Sequence, residues 1–213
     1  MDEGDFTKAR SIIFPRNVLV GHGVLGQIPE VCKEFGLSGT ALLVTGPKTK
    51  DVASEKIKMR LDDGGYDVHS VVVGEATKDN LDKVEEVARE VKANFLIGIG
   101  GGSKIDLAKM AAKDLGVEFI SVPTSASHDG IASGRASIKG EDGPLSLDAK
   151  VPLGVVADTS VIVGPLPTAG IRLRRRDIQF HRREGLGVRQ EAEGRGVLPL
   201  GVLPCRIHGG DHH

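Results

Sequence analysis

Between Gly98 and Lys104 the chain reads Gly-Ile-Gly-Gly-Gly-Ser-Lys, after the apolar run Phe95 to Ile99 and before apolar residues at helical spacing: Ile105, Ala108, Ala111, Ala112 and Leu115. A strand, a glycine loop and a helix in that order build a phosphate site. Glycines admit a ligand close to the main chain, and the first N–H groups of a helix have no partner within it. Gly100, Gly101, Gly102, Ser103 and Lys104 are therefore candidate contacts to a pyrophosphate. The spacing predicts a helix from Lys104, with Asp106 in its first turn, where a negative charge is favoured. The same motif also serves as a tight strand-to-helix turn with no ligand, so it does not stand alone.

The next segment adds weight to the ligand reading. Val117 to Val122 reads as a short buried strand and leads into Pro123-Thr-Ser-Ala-Ser-His-Asp-Gly-Ile-Ala-Ser133. In open parallel sheets ligands bind outside the C-terminal strand ends, which is where this loop falls. Thr124, Ser125, Ser127 and Ser133 each donate and accept a hydrogen bond, and a carboxylate at Asp129 accepts two hydroxyls at once. That chemistry suits a ribose or a polyol. Singly, each hydroxyl has an ordinary turn or helix-cap duty to fill; beside a glycine loop, the group reads as a ligand loop.

The elements that must position these loops are legible along most of the chain. Apolar strands at Ala41 to Val44, Val68 to Val73, Phe95 to Ile99, Val117 to Val122 and Leu153 to Ala157 alternate with helical patterns. One pattern is Leu25, Ile28, Val31, Cys32, Phe35; another is Leu81, Val84, Val87, Ala88, Val91. Such alternation predicts an α/β fold, a parallel sheet with helices on both faces. Glu141-Asp-Gly-Pro144 is turn chemistry between two short extended runs, so a hairpin is expected between Ala136 and Leu147. His22, between two glycines, reads as turn material.

Composition sets the bounds. The chain has 213 residues, 39% of them apolar, and a net charge of -1, with no charge-based case for a nucleic-acid or membrane partner in residues 1 to 171. Apolar runs fall short of the ~20 residues a membrane helix needs, and the polar opening Met1-Asp-Glu-Gly-Asp is unlike a signal peptide. Two cysteines, Cys32 and Cys205, make no disulfide framework, which suits a reducing cytoplasm.

The run Phe95 to Lys109, the loop Phe119 to Ser133 and Pro152-Leu-Gly-Val-Val-Ala-Asp-Thr159 resemble the archaeal-type sn-glycerol-1-phosphate dehydrogenases. These belong to the superfamily of glycerol dehydrogenase, iron-type alcohol dehydrogenases and dehydroquinate synthase. The likeness runs from about Ile13 to about Ile171, and Ser-His-Asp-Gly-Ile-Ala-Ser133 is its most specific part. It implies a Rossmann-like domain that binds NAD or NADP and reduces dihydroxyacetone phosphate to sn-glycerol 1-phosphate for ether-lipid synthesis. It also implies a zinc ion held by a helical C-terminal domain, a phosphorylated triose or polyol as small-molecule partner, and a homo-oligomer when intact. On that basis Thr124, Ser125, Ala126, Ser127 and Ser133 join the glycine loop as cofactor contacts, and Asp129 faces a substrate hydroxyl. Glycerol or polyol dehydrogenase, a dehydroquinate synthase-like lyase and a nucleotide-binding module without catalysis stand as alternatives.

After residue 171 the material changes. Upstream there are 14 Lys and 5 Arg; the last 42 residues hold 9 Arg, no Lys and seven glycines, without hydrophobic periodicity. The family's pattern continues here with Gly-Cys-Gly-Asp-Ile, whose Asp is a metal ligand, and then a helix resembling Thr-Ala-Val-Arg-Asp-Trp. This chain has Arg174-Arg-Arg-Asp-Ile178, so only Asp177 matches as a metal or substrate contact, and His181, His208, His212 and His213 match neither of the family's two histidine ligands. Three arginines beside Asp177 also oppose a divalent cation. Codons for His181 to Gly187, read one base later, can spell Thr-Ala-Val-Arg-Asp-Trp, and the same register gives further family strings downstream. The expectation is a nucleotide-binding domain over residues 1–171 and an aberrant, disordered tail over 172–213 from a shifted reading frame, with the helical metal-binding domain of the family missing.

Overall fold

The computed structural model describes residues 13–126, 129–140 and 143–162. In chain order the elements are β1 (Asn17–Gly21), a 3-10 turn (Val24–Gln27), α1 (Ile28–Glu34), β2 (Thr40–Thr45), α2 (Pro47–Thr49), a π-helical stretch (Lys50–Ser54) and α3 (Glu55–Asp63). Then come β3 (Asp67–Val72), α4 (Lys78–Glu90), β4 (Phe95–Gly100), α5 (Gly102–Leu115), β5 (Glu118–Pro123) and a 3-10 turn (Asp129–Ala132). The hairpin β6 (Arg135–Gly140) and β7 (Gly143–Asp148) comes next, and β8 (Gly154–Asp158) and α6 (Thr159–Ile162) close the described chain.

Six strands form one sheet in the order β1-β8-β5-β4-β2-β3, and every pairing in it is parallel. Successive side chains of a strand point to opposite faces, and the two cores obey that alternation. Leu43, Phe95, Ile97, Ile120 and Val156 face α1 and α3, whereas Leu42, Val44, Leu96 and Phe119 face α4 and α5. Strands buried on both sides read as continuous apolar runs, which is why each expected strand is found within a residue or two of its place. The expected hairpin is present, with Ser137 opposite Ser146 and Gly140 opposite Gly143.

The structure differs from the sequence expectations at three places. The pattern from Leu25 to Phe35 is broken into the 3-10 turn and α1, because Pro29, in the first turn of α1, has no N–H to continue a helix back through Leu25. Helix α5 begins at Gly102, two residues earlier than expected, so Asp106 is its fifth residue and lies outside the first turn, buried in the protein. The stretch from Pro47 to Asp63 is helical without having been expected so, although Ala53, Ile57 and Leu61 recur at intervals of four and are fully buried. Cys32 is buried in the α1 face, and burial, with Glu30 adding to it, pushes its thiol up to about 12.

The open end of the sheet is fastened by one carboxylate. Asp158, at the end of β8 and 2% exposed, accepts hydrogen bonds from Gly23 N (2.9 Å), Leu25 N (3.0 Å), Ser160 N (2.9 Å) and Ser160 Oγ (2.6 Å). It thereby joins the turn after β1 to the start of α6. Burial pushes this carboxyl up, but the bonds from Ser160, Leu25 and Gly23 outweigh burial and hold it below the usual range. A folded-state value below the unfolded one gives stability that is present above about pH 4 and is lost as pH falls through the folded value. Asp158→Ala should therefore destabilise the domain by about 2–3 kcal/mol at pH 7, since the buried Leu25 N–H and the part-buried bonds from Gly23 and Ser160 lose their acceptor, and the gap should narrow below about pH 4. Urea unfolding at pH 7 and pH 3 checks both statements; an equal gap at the two values would contradict the assignment.

Candidate functional site

Strand β2 is followed by β3 on one side of it and, after the crossover through α4, by β4 on the other. The order of strand addition thus reverses between the parallel strands β2 and β4, and a crevice opens outside their C-terminal ends, the place where open α/β sheets bind ligands. The glycine loop lies there. Gly98 lets α5 sit against β4: a Cβ on Gly98 would come within 2.9 Å of Ala108 Cβ and 3.3 Å of Ile105 Cα. Gly100 has φ +150, a conformation that side chains rarely adopt, and a Cβ there would also press on Lys104. Gly101 is extended and caps α5 without a side-chain bond, and a Cβ built on it meets nothing within 4 Å.

The room above Gly101 opens at the head of α5. The N–H groups of Gly102 and Ser103 head the helix, and the first bonds within it are Lys104 N to Gly101 O (3.0 Å) and Ile105 N to Gly101 O (3.4 Å). Lys104 folds its stem back over Gly100 and across to Gly46, where a Cβ would fall 2.6 Å from Lys104 Cε. The opposite wall is the loop after β2, which sequence reasoning missed. Thr49 Oγ1 accepts from Gly46 N (2.9 Å), shares a bond with Thr45 Oγ1 (2.9 Å) and donates to Ile99 O (3.3 Å), tying β2 to β4 under the crevice. Gly46-Pro47 followed by Thr49 was the available signal: a strand end, a glycine and a hydroxyl three residues on.

The serine loop starts at the same rim. Thr124 N donates to Gly100 O (3.0 Å), so the β4 and β5 loops share an edge. Thr124 and Ser125 are half-buried and Ala126 is exposed. Ser133 stands at the far end of the loop, where its hydroxyl bonds Gly130 O (3.2 Å) and Arg135 O (3.4 Å), so it is engaged in its own turn. Of Asp129 the backbone is described, opening the 3-10 turn. Ser127, His128, Asp177 and the whole stretch expected to be a tail lie outside the described residues, as does the expected boundary at residue 171. On the third side, Lys139 of the hairpin binds Glu75 (2.7 Å) in the loop before α4, and that bond and charge, with Lys104 adding to them, hold the Glu75 carboxyl below its usual range.

No group of three or more His, Cys, Asp or Glu that could hold a metal ion occurs among the described residues. No helix among them is long and apolar enough to cross a membrane. A concavity of about 410 Å³ lined by Gly26, Lys56, Met59, Arg60 and Asp158 lies beside α6 and apart from the glycine loop.

The sequence model of the family described as iron-containing alcohol dehydrogenase matches residues 19–164. A protein of Haloarcula marismortui named glycerol-1-phosphate dehydrogenase [NAD(P)+] is 48% identical over 168 residues, which cover 78% of this chain and 48% of that protein. A protein of the same name from Methanosarcina acetivorans is 49% identical over 154 residues, covering 72% of this chain and 43% of its own. The chain spans about half the length of the curated relatives it matches. The crystal structure of glycerol dehydrogenase from Schizosaccharomyces pombe superposes with a TM-score of 0.68 at 27% identity, over 74% of this chain and 40% of that one. That of a probable glycerol dehydrogenase from Sinorhizobium meliloti gives 0.64 at 27% identity, over 74% and 43%. With the glycine loop, the serine loop and all of the parallel sheet except the first two residues of β1 inside the matched stretch, the chain belongs to the iron-containing alcohol dehydrogenase family.

Proposed function

We propose that the described domain binds the pyrophosphate of NAD or NADP at Gly100, Gly101, Gly102, Ser103 and Lys104, and that the enzyme it belongs to reduces dihydroxyacetone phosphate to sn-glycerol 1-phosphate. The observation that carries the cofactor site is the open space over Gly101 at the head of α5, in the crevice where the order of strand addition reverses. The substrate reading draws on the relatives' names and on the hydroxyl-rich loop that shares an edge with the glycine loop. The bound nicotinamide supplies the hydride. The chain's own residues do the positioning: N–H groups at the α5 terminus face the phosphates, the Lys104 ammonium lies along the same wall, and Thr124, Ser125, Ala126, Ser127 and Ser133 flank the rest of the cofactor. Asp129 takes a substrate hydroxyl.

Among the described residues no ligand set for a catalytic zinc occurs. Asp177 follows three arginines, and the described domain offers no converging ligands. Any metal site of this enzyme belongs to a second half of the kind that makes up the rest of the relatives' length, and residues 172–213 read best as a shifted frame in its place. The intact enzyme is a homo-oligomer of the cytoplasm in this reading.

Three outcomes test these assignments. Gly101→Val fills open space on a residue with ordinary backbone angles, so the fold should persist by circular dichroism while NAD(P) affinity falls at least tenfold, about 1.4 kcal/mol, in calorimetry. Unchanged affinity would remove the glycine loop from the site. In a protein restored to full length, Asp129→Asn should lower kcat/KM with nucleotide affinity near wild type; a parallel loss of nucleotide binding would make Asp129 a cofactor or structural residue. The 213-residue chain should show no zinc-dependent reduction of dihydroxyacetone phosphate by NADPH or NADH. Turnover by this chain, or a gene sequence across codons 170–213 that cannot spell the family's helix in the shifted frame, would overturn the account of the tail.

A further inference from the structure

Lys109 is fully buried in α5, two turns below the glycine loop. Its Nζ donates to Gly130 O, to Arg135 O (2.9 Å), and stands 3.5 Å from Asp106 Oδ1 one turn earlier. Asp106 is itself 2% exposed and accepts from Ser137 N (3.2 Å) on β6. One buried ion pair on one helix face therefore grips three consecutive pieces of chain: the 3-10 turn that opens with Asp129, the residue at the start of the hairpin, and the hairpin strand. Asp106, Gly130, Ser133, Arg135 and Ser137 also line a cleft of about 280 Å³ beside that turn.

Core stability alone does not call for this lysine. The neighbouring helix positions include alanines and a leucine, and apolar side chains at both 106 and 109 would fill the space without the cost of taking two charges out of water. The ammonium adds direction. It bonds main-chain carbonyls of a loop that otherwise has little apolar side chain to bury, and it fixes the peptide next to Asp129 against the helix whose other end forms the phosphate cradle.

We propose that Lys109, oriented by Asp106, is the positioning residue of the substrate loop: it holds the Asp129–Ala132 turn at a fixed height relative to the glycine loop, so that substrate and cofactor meet in register. The proposal rests on the reading of this loop as the substrate loop. It does not require Lys109 to touch either ligand.

The test uses the 213-residue chain and two substitutions, Lys109→Met and Lys109→Arg, read by amide hydrogen exchange over residues 129–136, thermal unfolding and calorimetric titration with NADP+. Lys109→Met leaves the buried Asp106 carboxylate and two carbonyls without the ammonium, so its unfolding temperature should fall; nucleotide affinity should stay close to wild type, and exchange over 129–136 should speed up by roughly tenfold or more beyond the change seen in β2 and β4. Lys109→Arg, which can still donate to both carbonyls, should restore most of the protection. Wild-type exchange in Lys109→Met would overturn the proposal. So would a general loss of stability in both variants, which would make Lys109 a scaffold residue only. The loop's identity is judged separately: in wild type with saturating NADP+, glycerol 1-phosphate should slow exchange over 129–136 further, and its failure to do so counts against the substrate reading while leaving the Lys109 result standing.

Discussion

Everything at the site depends on how closely α5 lies on β4. Gly98 permits that approach, since any side chain there would collide with Ala108 and with the main chain at Ile105. With the helix seated, its apolar face fills one of the two cores with Leu107, Ala108, Ala111 and Ala112, and its N-terminus is aimed out of the crevice between β2 and β4. The same helix then anchors the loop and hairpin that come after β5. Lys109 reaches the serine loop and the start of β6, Asp106 reaches Ser137, and Lys113 donates to Asp148 O (2.9 Å) at the end of β7. A single rigid element thus fixes the glycine loop at one end and a polar loop along its flank, and a site built on a helix is held better than one built on loops alone.

The charges around the crevice serve the same end. Lys104 lies along the wall between Gly100 and Gly46, and Glu75 is drawn toward Lys139 in the hairpin, so the third loop of the rim is tied across by an exposed ion pair. Exposed pairs of this kind contribute little to stability. Their value here is geometric, because the pair joins the loop before α4 to the hairpin, next to the short bridge between Thr77 and Lys139. Toward the β1 edge of the sheet, Asp158 does with four hydrogen bonds what the apolar core cannot do at a sheet margin, and it fastens the end of β8 to the turn after β1.

Some of this was plain in the residues. Doubly buried strands must be apolar throughout, so Ala41 to Val44 and Phe95 to Ile99 declared themselves, and Leu81, Val84 and Ala88 could only make one face of a helix. The strand, glycine loop and helix were legible because the signal is local: an apolar run, glycines and a helix start are all contiguous. The start of α5 lies two residues from its expected place because Gly102 and Ser103 have poor helix propensity and no apolar side chain to mark the helical period. The Pro47–Asp63 stretch escaped notice because its apolar positions are sparse and its first turns are not regular α-helix.

Sequence by itself determined the class of fold, the places of the glycine loop and the hydroxyl-rich loop, the hairpin and the family resemblance, because each is encoded in contiguous residues whose pattern has few alternatives. Tertiary structure decided the rest, and for one reason: the deciding contacts join residues far apart in the chain. Strand order, and hence the crevice between β2 and β4, depends on which strands pair, and no local pattern states that. Thr49 becomes part of the site because it reaches Ile99, and Asp158 becomes a fastening because it reaches Gly23 and Leu25. Lys109 and Asp106 look in sequence like the polar side of a surface helix. Only the seating of α5 between β4 and the hairpin turns them inward, where a lysine must find carbonyls and a carboxylate must find N–H groups.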